Sequence, residues 1–265
     1  MHNELLAKLK NEDHVSCLSS LNPCHAGSLY YNYKGQFSIV LMALCDSNYC
    51  FTYAYVGAQG RISDGGVFNS CSLALKIDRG LLNLPPLEPL AVNGEKCVPY
   101  VIVADNAFAL KQNIMVPHAQ RTSHEYGSCN RIFNYRLSAA RSRIENTFGI
   151  FTAVFRVFRK PMLLEPKKAR VIVESGIVLH NFLRRSRTST GRYAPPNLMD
   201  RYSVVNGRQQ FQPGSWRSDA GDMTSCVALP PVARRAKKEA ESIRDEFGEF
   251  YSSESGRVPW QDYLQ

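Results

Sequence analysis

Eleven residues, Tyr100-Val-Ile-Val-Ala-Asp-Asn-Ala-Phe-Ala-Leu110, restrict what this chain can fold into more than any other stretch. Val101 to Ala104 form a short apolar run rich in β-branched side chains, and it stops abruptly at Asp105-Asn106. That pattern predicts a strand buried on both faces, as strands of parallel and mixed sheets are. Ligands of open α/β sheets gather outside the carboxyl ends of the strands, which makes Asp105 a candidate for chemistry. Asp-Asn after a strand is also ordinary turn or helix-capping chemistry, so position alone does not make Asp105 catalytic.

The totals exclude several classes. A chain of 265 residues can bury one substantial core or two small ones. Its apolar and charged fractions, 44% and 21%, are those of a folded globular protein. No apolar run approaches the roughly 20 residues that span a bilayer, so no membrane partner is expected. The opening Met1-His-Asn-Glu-Leu-Leu-Ala-Lys-Leu-Lys10 lacks a signal-peptide layout, and the expectation is an intracellular protein. Eight cysteines form no C-x-x-C pair, so reduced, partly buried thiols are expected rather than zinc or disulfides. The formal charge is +9, and residues 131–170 hold ten Lys/Arg against only Glu145 and Glu165. Such a concentration suits a polyanion, nucleic acid above all, though a solvated basic face would look the same.

In chain order, residues 37–56 read as a β-hairpin across the turn Asp46-Ser-Asn48, with Asp46 explained by the turn itself. Ser63 or Asp64 is a plausible N-cap for a helix through about Leu75. Residues 84–99, with four prolines, read as a surface connection. A helix is predicted from Ser138, where Ile144, Phe148, Phe151 and Phe155 share one face and Glu145 lies within i−4 reach of Arg141. Glu165-Pro166 opens a second helix through about Arg185, with Val171, Ile172, Val178, Leu179 and Phe182 as its expected buried side. His180 reads as a hydrogen-bonded core residue rather than a ligand. Ser, Thr, Arg, Gly, Asn and Gln dominate residues 186–228, which read as a flexible linker, and 229–265 as a charged helix and tail.

Three acids then stand out. Asp64, Asp105 and Glu145 are separated by 41 and 40 residues within a basic chain. Clustered carboxylates suit hard divalent cations, and two such ions can activate an attacking oxygen and stabilise a leaving one.

The ordered motifs carry a resemblance. Gly27-Ser-Leu-Tyr-Tyr-Asn-Tyr-Lys-Gly-Gln-Phe-Ser-Ile-Val-Leu41, Gly57-Ala-Gln-Gly-Arg-Ile-Ser-Asp-Gly-Gly-Val-Phe68 and the stretch around Asp105 resemble the nuclease domain derived from PIF/Harbinger transposases, a DDE superfamily endonuclease. Phe133-Asn-Tyr-Arg-Leu-Ser-Ala-Ala-Arg141, Arg143-Ile-Glu-Asn-Thr-Phe-Gly149 and Val178-Leu-His-Asn-Phe-Leu183 continue it, so that it covers roughly residues 25–185. The resemblance implies an α/β fold of RNase H-like type, a mixed sheet flanked by helices. It also implies a divalent cation, Mg²⁺ or Mn²⁺, held by Asp105 and Glu145 as catalytic acids with Asp64 as a further ligand. Arg141 and Arg143 would contact DNA. Family members use a separate Myb/SANT-like protein for sequence-specific binding and import, which implies a nuclear setting, with the cytoplasm also open.

One departure stands against activity. The family's first catalytic Asp lies in Ala-Ile-Asp-Gly-Lys-His, where this chain reads Lys10-Asn-Glu-Asp-His-Val-Ser-Cys17, with Asp13 nearest in place. Residues 1–24 are therefore expected to be a truncated or altered start. Two expectations follow. One is a metal-dependent endonuclease that hydrolyses phosphodiester bonds by in-line attack of water. The alternative is a catalytically degenerate domesticated transposase that binds DNA or protein as a nuclear factor. A G-x-S-x-G elbow, a P-loop and a dinucleotide fingerprint are all missing, which leaves an unrelated α/β hydrolase without support.

Overall fold

The computed structural model describes residues 18–19, 28–31, 37–62, 64–91, 94, 96–119, 128–160, 162–206, 208–218 and 237–261. Asp13 and the rest of the 10–17 stretch, Ser63, and residues 219–236 lie outside them.

Strand β2 (Ser38–Cys45) is the centre of the molecule, because both of its faces are apolar and all eight residues are buried. It pairs antiparallel with β1 (Leu18–Ser19) on one edge and with β3 (Phe51–Gln59) on the other. Strand periodicity sends alternate side chains to opposite faces. Val40, Met42 and Leu44 pack with α1 (Asp64–Ser70), α2 (Ser72–Asp78) and the apolar stretch around Asp105. Ile39, Leu41, Ala43 and Cys45 pack with α3 (Cys129–Val154) and α4 (Pro166–Arg185). Helices therefore cover both faces, and the architecture is α/β with small sheets.

The 37–56 hairpin stands as read, and Asp46 does turn work: its Oδ1 accepts from Asn48 N at 2.9 Å and Cys50 N at 2.8 Å. The helix expected from residue 63 is two short helices, broken where Cys71 is extended and its sulfur caps Ala74 N. In the proline-rich connection, β4 (Glu88–Pro89) pairs with β5 (Cys97–Val98). The expected strand is β6 (Ile102–Val103), parallel to β7 (Ile114–Met115).

Two helical expectations need correction. Helix α3 starts nine residues before Ser138, at Cys129, with the Ser128 hydroxyl accepting from Arg131 N. Phe133 and Leu137 extend its apolar stripe onto Val101, Val103 and Met115, so this one helix ties β6 and β7 to the β2 layer. Helix α4 has the bounds expected but buries another face, that of Ala169, Val173, Gly176, Ile177 and His180. Close approach explains the choice: a Cβ on Gly176 would sit 3.0 Å from the Phe158 ring and 3.1 Å from Phe151. That approach fixes the rotation of the helix, so Val171, Val178, Leu179 and Phe182 face out; Ile172 is half-buried.

The linker reading of 186–228 is also corrected where the chain is described. Residues 186–218 hold α5 (Thr190–Tyr193), the hairpin β8 (Arg201–Val205) and β9 (Arg208–Gln212), and α6 (Ser215–Ser218). Polar composition hid this segment because four residues, Tyr193, Ala194, Leu198 and Trp216, supply its buried contacts with Ile150 of α3. The final helix, α7 (Lys238–Ser252), docks on α3 through Phe247 and through Tyr251, which stacks on Phe133. No helix among the described residues is long and apolar enough to cross a membrane.

Candidate active site

Asp105 sits where sequence placed it, just past β6. Backbone bonds from Ile102 N to Asn113 O and from Ala104 N to Met115 O hold the strand up to its last residue. Asp105 is 1% exposed, and its Oδ1 accepts from Ala107 N at 2.9 Å, closing the turn that follows. Turn chemistry and a buried acid at a strand's carboxyl end are thus realised in one side chain.

Asp64 is the first residue of α1, and its side chain lies outside the described part. Glu145 projects from the middle of α3, half-buried, and its Oε2 accepts from the Arg217 guanidinium at 3.1 Å. Arg217 belongs to α6, in the segment read as a linker. The same guanidinium grips Asp200 through two bonds, Nε to Oδ1 at 2.8 Å and a terminal nitrogen to Oδ2 at 2.7 Å. The Asp200 side chain is fully buried and also accepts from Gly214 N at 2.8 Å. Hydrogen bonding to Asp200 raises the Arg217 pKa above its already high value. One arginine therefore bridges two acids, with its charge held in place.

The neighbouring residues explain part of the Arg143–Gly149 motif. Asn146 Oδ1 accepts from Asp200 N at 2.8 Å and from the Trp216 indole at 3.1 Å. A Cβ on Gly149 would lie 2.4 Å from the Trp216 ring, so only glycine lets that ring lie against α3. Asp200, Trp216 and Arg217 went unnoticed in the sequence; their signal was one tryptophan in a polar stretch, matched to an Asn and a Gly one turn apart.

The two arginines expected to touch DNA diverge. Helix positions two apart point about 200° away from each other. Arg143 is exposed, donates to the Tyr49 hydroxyl and lies over its ring, while Arg184 covers that ring too. Arg141 is half-buried.

Carboxylates of this kind are the right donors for Mg²⁺ or Mn²⁺. Among the described residues, however, no three of His, Cys, Asp and Glu converge closely enough to hold one ion. The described arrangement is thus not itself a metal cage, and Glu145 is committed to a guanidinium.

Comparison with known proteins adds one result. Residues 14–181 match the family described as DDE superfamily endonuclease. No curated protein and no solved structure matches the chain. The match spans well over half of the chain, includes β2, β3, β6 and nearly all of α4, and contains Asp64, Asp105 and Glu145. The chain belongs to the DDE superfamily endonucleases.

Proposed function

We propose that this is a Harbinger-type, transposase-derived nuclease domain with an RNase H-like core, which acts on DNA with the help of Mg²⁺ or Mn²⁺. The observation that carries the reading is a buried carboxylate at the end of a parallel strand, Asp105, inside the matched family region. Helices on both faces of β2 support the RNase H-like core. Asp105 and Glu145, with Asp64, are the residues that would hold the ion, which supplies charge stabilisation at the phosphodiester. A nuclear location and a Myb/SANT-like partner belong to the same proposal, resting on the resemblance alone.

Calorimetric titration of Mn²⁺ tests this, on wild type and on Asp105→Asn, Glu145→Gln and Arg217→Ala, each checked for an intact thermal transition. Both acid substitutions should abolish binding. Arg217→Ala should tighten it, because guanidinium and metal compete for one carboxylate. A titration that neither acid substitution alters would sink the metal-dependent reading.

A second reading is favoured by the Glu145–Arg217 pair and by the altered 10–17 stretch: a chain that kept the fold and lost the reaction. It expects DNA binding that ignores both EDTA and Asp105→Asn.

A further inference from the structure

The outward face of α4 carries a row of large apolar side chains. Val171 is 60% exposed, Val178 and Phe182 68%, and Leu179 50%. With Ser175 between them, positions 171, 175, 178 and 182 follow helical spacing and make one stripe about 17 Å long. A helix normally buries its larger apolar residues. Here the helix is seated by the close approach of Gly176 to Phe151 and Phe158, with Ala169, Val173, Ile177 and His180 on the same side, and that rotation leaves Val171, Val178, Leu179 and Phe182 outside. An aligned row of exposed valine, leucine and phenylalanine differs from scattered surface apolar residues and marks an interaction site.

Charge narrows the choice of occupant. Lys167 and Lys168 lie at the start of the helix and Arg185 at its end, while Arg184 turns away to Asn48 O and the Tyr49 ring. Against them stand Glu174, which pairs with Arg170 at 2.7 Å, and Glu165 just before the helix. A second copy laid antiparallel on the stripe would set Lys167 and Lys168 against Arg185 of the other chain. A parallel copy would set like against like at both ends, so self-association works against charge in either direction. An anionic membrane would satisfy the cations, but membrane-surface helices present a broad apolar face, whereas this one has Ser175 in its middle and Glu174 beside it. Spaced anchors on a narrow stripe with cationic ends fit a helix that carries matching anchors and acidic flanks.

We propose that the Val171–Val178–Phe182 stripe of α4 docks an acidic amphipathic helix from another protein. The inference stands apart from the nuclease reading, because none of these side chains belongs to the candidate site.

The test is fluorescence anisotropy on the full chain, with a labelled synthetic helix of about five turns. Its leucines follow i, i+3, i+4, i+7 spacing and glutamates flank them; a second peptide replaces every glutamate by lysine. The glutamate peptide should bind saturably, and Val178→Glu and Phe182→Glu should each weaken it about tenfold or more. Both positions are exposed, so the thermal transition should stay put. The lysine peptide should bind far more weakly. Absence of saturable binding, equal binding of the two peptides, or indifference to both variants would overturn the proposal. So would either rival occupant: a concentration-dependent dimer in sedimentation velocity that Phe182→Glu dissolves, or co-sedimentation with phosphatidylserine vesicles that the same variant abolishes.

Discussion

His180 ties the stability of the core to pH through one buried ring. It is fully buried, its Nε2 lies 2.7 Å from Tyr49 O and its Nδ1 2.6 Å from the Tyr193 hydroxyl. A carbonyl can only accept, so Nε2 carries the proton and Nδ1 accepts from Tyr193, which leaves the ring neutral. Burial pushes its pKa down to about 4 from the usual 6.5. An unfolded chain therefore binds the proton that the folded chain refuses between those values, and stability falls as pH drops through that window. Between pH 6.5 and 5 the loss from this residue is about 2 kcal/mol. Denaturant unfolding at the two pH values should show it, with a smaller slope in His180→Gln. Half-buried His118, lowered to about 4 by the same cause, adds to the wild-type slope and remains in the variant. A slope identical in both proteins would remove His180 from the account. Its role as a core residue was legible from sequence, because a lone His on an apolar helix usually bonds internally. Arg217 was not legible: a pairing with Glu145 across 72 residues leaves no local pattern.

Among elements, α3 and the 186–218 segment belong together. Trp216 is buried against α3 where Gly149 leaves room, and Asn146 binds both the indole and Asp200 N. Trp216→Ala should cost about 3–5 kcal/mol, the usual range for a buried aromatic. It should also free Arg217, its neighbour on α6, and so unpin Glu145. Thermal unfolding measures the first effect, and susceptibility of the 186–218 segment to limited proteolysis measures the second. A shift below about 1 kcal/mol would mean that the ring contributes little beyond covering α3. The bounds of α4 could be read because Pro166 at its start is a local signal. Its buried face could not be read, since hydrophobicity ranks side chains while packing selects by size. Where Phe151 and Phe158 leave almost no gap, glycine wins over any larger side chain.

For the whole molecule, the net charge of +9 predicts a binding mode that tolerates sequence but not salt. The logarithm of DNA affinity should fall linearly with that of salt, by about 0.9 for each phosphate neutralised. Anisotropy on unrelated duplexes from low to physiological salt measures this, and a flat dependence would rule out a phosphate-tracking surface. The sequence by itself determined the family, the hairpin, the strand before Asp105 and the starting point of α4. Each of these rests on neighbouring residues: an apolar run of strand length, a turn, a proline, an ordered run of motifs. Tertiary structure alone decided the face that α4 buries, the folding of 186–218 onto α3, and the Arg217 bridge between Glu145 and Asp200. Those outcomes depend on which surfaces meet and how closely, and residues that meet across the fold carry no mark of it in their own stretch of chain.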